Sequence, residues 1–273
     1  MSVFAGIGRG LLALWVMVVI ALLYVPMVSV VLASLANTRY MRFPHKVWSL
    51  EAYDLALMDY TTVQLHTTSL AIALSVAVLA TLLGTVGALA FARFEWAGRS
   101  IFQRAILLPI FFPQPVLGLA LLVALSAAGF VPTWRTAVFS HLVWTAPIVT
   151  LVVAIRLYGF DPRQEEAAFD LGASRFAVMR EITLPALAPG IVSGALFAFL
   201  LSWSNLPLSI YTTGSDTTLP IWLFTRTATN YAPVVPAVAV IATAASAAIV
   251  IAVATLWFAG KRIFERSRSG GIT

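Results

Sequence analysis

From Leu11 to Leu35 no charged side chain interrupts the chain, and comparable apolar runs recur at Ser69 to Phe91, Ala105 to Ala128, Ala137 to Leu157, Pro189 to Tyr211 and Val234 to Ala259. Each approaches the roughly 20 helical residues needed to cross about 30 Å of hydrocarbon. Inside lipid a backbone must satisfy its own N–H and C=O groups, so runs of this kind form helices. Composition agrees, because 273 residues that are 60% hydrophobic and 10% charged cannot cover a water-soluble globule with polar surface. The fold class expected is an all-α integral membrane protein of six transmembrane helices, a single domain over residues 1–273. The first run has Arg9 before it and Ser34-Leu35-Ala36 after it, as a secretory signal would. Its apolar core exceeds the about 7 to 15 residues of a signal, and it reads as a span.

Orientation follows from Lys and Arg, which accumulate in cytoplasmic loops. With the N-terminus inside, Arg9, Arg93, Arg99, Arg104, Arg156, Arg163, Arg175, Arg180, Lys261, Arg262, Arg266 and Arg268 are cytoplasmic, twelve of the 17 basic residues. The expectation is an N-in, C-in chain. The net charge of +6 flanks spans and forms no basic patch interleaved with aromatics, so nucleic acid is not an expected partner. No cysteine is present, and His45, His66 and His141 are scattered, so neither a catalytic residue nor a metal site is expected.

One polar segment, residues 161–185 between the fourth and fifth spans, is built to be ordered. Asp161 is a candidate N-cap, Pro162 suits the first helical position, and Gln164 is spaced for a capping box. Glu165 and Glu166 favour the positive end of the helix dipole. Gly172 is placed to end this helix in a left-handed conformation. A second short helix is expected from Ser174 to Thr183, with Phe176, Met179 and Ile182 on one apolar face, stopped by Pro185.

Glu166-Ala167-Ala168, three residues, Gly172, nine residues, then Ile182-x-Leu184-Pro185 resembles the EAA signature of permease subunits in binding-protein-dependent ABC importers. Shorter matches, among them Asn37-Thr38-Arg39, Trp48-Ser49-Leu50 and Ser140-His141, are most similar to the second permease subunit of spermidine/putrescine-type systems. The resemblance implies that 161–185 is a cytoplasmic two-helix coupling segment. Glu166, Ala167, Ala168, Gly172, Ile182, Leu184 and Pro185 would be its ATPase-coupling residues. It implies partners as well: a second permease subunit, two cytoplasmic ATPase subunits and a periplasmic or extracellular solute-binding protein. ATP and magnesium would belong to the ATPase, with no cofactor bound by this chain, and the location would be the bacterial cytoplasmic membrane.

Charge points the same way. A secondary transporter or channel working alone is the alternative, and an ion-driven carrier needs titratable groups in its spans. None of the six runs contains Asp or Glu, and no Gly-x-x-x-x-Gly-Lys-Ser/Thr loop occurs. His141 reads as a satisfied structural histidine. Small residues at Gly190, Gly194, Ala198 and Ser202, and at Gly84, Gly87 and Ala88, mark close helix packing.

A solute path is expected where spans break and polar groups line a cavity. Pro109, Pro113, Gln114 and Pro115 interrupt the third span; Ser202, Trp203, Ser204, Asn205 and Pro207 interrupt the fifth. Ser204 and Asn205 are neutral where the polyamine permeases carry acidic residues. The substrate class is therefore read only as a small polar solute.

Overall fold

In the computed structural model, residues 2–36, 48–229 and 231–269 are described, the side chains of 2–9 and 263–269 excepted. Asn37-Thr38-Arg39 lies outside the described residues. The chain divides into two compact units. The first, residues 1–63 and 223–273, contains α1 (Ser2–Ser34), α2 (Glu51–Met58) and α13 (Val234–Ser269). Within it α13 packs against both α1 and α2. A single bridge pairs Ala36 with Trp48, and the Ser34 and Tyr53 hydroxyls meet at 2.5 Å.

The second unit, residues 64–222, carries most of α3 (Tyr60–Ala88), followed by α4 (Arg99–Ala105), α5 (Leu108–Phe111), α6 (Gln114–Ala127) and α7 (Trp134–Tyr158). After these come α8 (Arg163–Asp170), α9 (Arg175–Val178), α10 (Leu184–Trp203), α11 (Ser209–Thr212) and the start of α12 (Leu219–Thr229). Its core is α7 flanked by α3 and α10, packed through the small residues that the sequence marks. A Cβ on Gly84 would sit 2.6 Å from Val149 Cγ1, and one on Gly194 would sit 2.9 Å from the same atom. Gly190 lies under the Arg156 stem, and Ala198 and Ser202 are buried. Missing side chains let the backbones approach, which is how helices gain dispersion energy in lipid.

Among the described residues five helices are long and apolar enough to cross a membrane: Gly10–Ser34, Tyr60–Arg93, Trp134–Tyr158, Arg175–Trp203 and Val234–Arg262. A sixth crossing exists only if Arg99–Phe111 and Gln114–Ala127 count as one, and these are bent by 108° at their junction. The bend is written in the prolines. Pro113 disfavours helical geometry at Phe112, which is extended at ψ 136°, while Pro115 enters the first turn of α6, where no N–H is needed.

The fifth span differs from its expected bounds. It is helical by Arg175 and ends at Trp203, so residues 204–208 lie beyond it. Pro185 does not stop the second short helix. The helix widens into a π-turn over Met179–Thr183 and runs on as α10. An i→i+5 turn absorbs both the missing N–H of Pro185 and the crowding of its ring against the preceding turn.

Candidate functional site

Segment 161–185 is ordered by the devices that the sequence contains, with one change of register. Asp161 Oδ1 accepts the N–H of Arg163 at 3.0 Å, not that of Gln164, and α8 begins at Arg163. The expected capping box is thereby replaced by a two-residue turn. At the other end Gly172 adopts φ +86°. Its N–H reaches the Phe169 carbonyl at 2.9 Å, and the Ala173 N–H reaches Ala168 at 3.0 Å, the paired bonds that close a helix in a left-handed cap. Ser174 then caps α9 by accepting the Ala177 N–H at 3.2 Å.

Of the motif residues, Glu166 and Ala167 face outward, Ala168 is half-buried, Ile182 is half-buried, and Leu184 and Pro185 are exposed. The apolar face expected of the second helix is only partly covered: Met179 is half-buried, but Phe176 is 74% exposed and neighbouring Leu171 89% exposed.

The charged residue buried here is Glu165, at 6% exposure. Its Oε2 forms an ion pair with the Arg93 guanidinium, and its Oε1 accepts the Thr183 hydroxyl at 2.5 Å. Arg93 closes a π-turn, Leu89–Arg93, that ends the α3 span. The last carbonyls of that span are satisfied by others: Phe91 accepts from Arg99 Nε at 3.1 Å and from Gln103 Nε2 at 2.7 Å, and Ala90 from Trp96 Nε1 at 3.0 Å. Nothing local in the sequence separates Glu165 from Glu166; the partner that decides between them is remote in the chain.

The second candidate region is the break after α10. His141 on α7 is fully buried between two hydroxyls, Nδ1 to Ser202 Oγ at 2.8 Å and Nε2 to Ser209 Oγ at 3.1 Å. Ser209 donates its own proton to the Asn205 carbonyl at 2.6 Å. It must therefore accept from Nε2–H, which leaves Nδ1 to accept from Ser202. Asn205 Oδ1 accepts the Leu208 N–H at 3.0 Å and so begins α11. Trp203 is buried against Phe199 with ring centroids 5.9 Å apart, and Ser204 is exposed. Gln114 is half-buried at the start of α6. One turn on, Gly118 has no room for a Cβ, which would lie 2.9 Å from the Tyr211 ring and 3.0 Å from the Pro207 carbonyl. The two breaks thus adjoin through α6. No local pattern in the sequence announces the network around His141 and Ser209, since the two lie on different helices.

Residues 80–269 match the family model described as a binding-protein-dependent transport system inner membrane component. The chain belongs to that family. It is 32% identical to the spermidine/putrescine transport system permease protein PotC of Haemophilus influenzae over 86% of this chain and 91% of that protein. Its identity to the putrescine transport system permease protein PotI of Escherichia coli is also 32%, over 80% of each. Among solved structures, a bacterial alginate ABC transporter in complex with an alginate pentasaccharide-bound periplasmic protein has the same fold. The TM-score is 0.66 at 16% identity, covering 90% of this chain and 91% of that one. This chain is accordingly an importer permease, a multi-pass protein of the bacterial inner membrane.

Proposed function

We propose that this permease forms, with a second permease subunit, the path for a small polar solute handed over by an external binding protein. Two separate ATPase subunits, holding ATP and magnesium, drive it through segment 161–185. The observation carrying this reading is the contrast within that segment. Both of its short helices are capped and its charged root is buried, yet Leu171 and Phe176 project into the open. Covering each would yield about 1.5–3 kcal/mol. Glu166 lies exposed on the same segment, where it can meet a polar group of an ATPase. This assignment puts the segment in the cytoplasm and, by the distribution of Arg and Lys, both termini with it.

The solute class stays broad for a structural reason. Similarity to PotC and PotI supports a polyamine, but Ser204 and Asn205 are neutral and the Asn205 amide oxygen is committed to the Leu208 N–H. A polycation would find Trp203 and hydroxyls there, with a cation–π face worth about 0.5–2 kcal/mol in place of a carboxylate. In this reading Gln114, Ser202, Trp203, Ser204 and Asn205 flank the path, and selection rests with the binding protein.

Reconstitution of this chain with its permease and ATPase partners and the binding protein tests the reading. Labelled putrescine, spermidine, neutral sugars and amino acids serve as the panel. Uptake of one solute class is expected only with ATP and all subunits present, and Glu166→Ala should reduce both ATPase association and uptake. Uptake by this chain alone in vesicles would overturn the importer reading. A Glu166→Ala variant with undiminished association and uptake would remove the role given to the segment.

A further inference from the structure

Among the described residues Glu165 is the carboxylate taken out of solvent, and its two partners come from the ends of two different spans. Arg93 terminates the α3 span in one π-turn; Thr183 lies in the other, just before α10. Both partners thus sit in single π-turns, where the helical register is widened, a form found mostly at functional sites. Burying a carboxylate is unfavourable unless it is paired and its remaining lone pairs are satisfied. Here one oxygen takes the guanidinium and the other the hydroxyl. Held this way, α8 is fixed to the α3 span and to the start of α10 at one point, while the adjacent Glu166 stays exposed.

We propose that Glu165 is the positioning residue of the coupling segment: the Arg93–Glu165–Thr183 clamp joins α8 to two spans, so that a displacement imposed on the segment reaches both together. This rests on the ATPase-coupling reading above, but the clamp itself is measurable without it. It assigns Glu165 and Glu166 opposite duties, one holding the segment to its own chain and the other facing a partner.

The chain lacks cysteine, so spin labels at Arg163→Cys on α8 and Ser100→Cys on α4, both exposed positions, report their separation in the assembled transporter on a cysteine-free partner background. A narrow distance distribution is expected for this labelled parent. Glu165→Gln and Arg93→Gln should each broaden it at least twofold, and Thr183→Val less. The charge-reversed pair Arg93→Glu with Glu165→Arg should narrow it again. In the same preparations the solute moved per ATP hydrolysed should fall about tenfold or more in the single variants and recover in the reversed pair, since one stranded charge is far costlier than an exchanged pair. An unchanged distribution in Glu165→Gln would overturn the clamp. Broadening without any change in solute moved per ATP would keep the clamp and overturn its role in coupling. Should both single variants fail to assemble, assembly of the reversed pair supports the proposal. Failure of that pair together with a silent Thr183→Val overturns it.

Discussion

Gly172 carries the turn of the coupling segment at φ +86° with nothing within 4 Å of where a Cβ would stand. Strain on substitution is therefore a matter of backbone alone. A non-glycine residue in the left-handed region costs about 1–2 kcal/mol, with Asn tolerated better than most. Thermal unfolding of the detergent-solubilised transporter should rank the parent first, then Gly172→Asn, Gly172→Ala and Gly172→Val. Asn as poor as Val would show that the site fails for want of space. At this scale the sequence was informative wherever a residue acts on its own backbone: Gly172, Asp161 and Ser174 each make the local bond or turn that their chemistry favours. It was silent wherever the partner is distant, as for Glu165 with Arg93 and His141 with Ser202 and Ser209.

Prolines show how far an element can be read from its own composition. Pro113 breaks the third span as its effect on the preceding residue requires, and the chain turns by 108°. Pro185 has the same ring and the same missing N–H, yet the helix continues through a wider turn. The difference is tertiary: Thr183, inside that turn, is anchored to Glu165, and Leu187, just beyond it, is fully buried. A Pro185→Ala substitution restores the N–H that an α-helical register needs and removes the ring. The π-turn should then relax towards i→i+4 bonding, swinging the Thr183 hydroxyl off Glu165. Structure determination of the variant should show this. A π-turn that persists unchanged without the proline ring would place its origin in the Thr183 anchor alone. Composition alone does not mark the ends of the fifth span for the same reason: it stays apolar through Leu206 and Leu208 while the backbone hydrogen bonds turn aside at Ser202 and Asn205.

At the scale of the whole molecule, α1 is, among the described residues, the long apolar helix with least cover of its own: every side chain from Leu11 to Val30 is exposed. Lipid covers apolar side chains, but helices in lipid associate through close packing, and a second permease subunit is proposed above. Single nitroxide labels placed in turn along Leu14 to Val28 should all be accessible to oxygen, which dissolves in lipid, in the isolated chain. In the assembled transporter a stripe repeating every three or four positions should become protected. Uniform accessibility after assembly would give α1 to lipid alone. The centre of the second unit is the opposite case. Val149 is gripped from two sides, by Gly84 of α3 and Gly194 of α10, each too near to accept even one extra carbon without displacement. Neither glycine can grow in place while Val149 stands: at 194 the obstacle is the Val149 Cγ1, and at 84 it is that atom and, at 2.7 Å, the Val149 Cβ as well. The order in which substitutions could accumulate here is thus restricted by geometry, a larger residue at 194 calling first for a smaller one at 149 and a larger residue at 84 calling for the backbones to part.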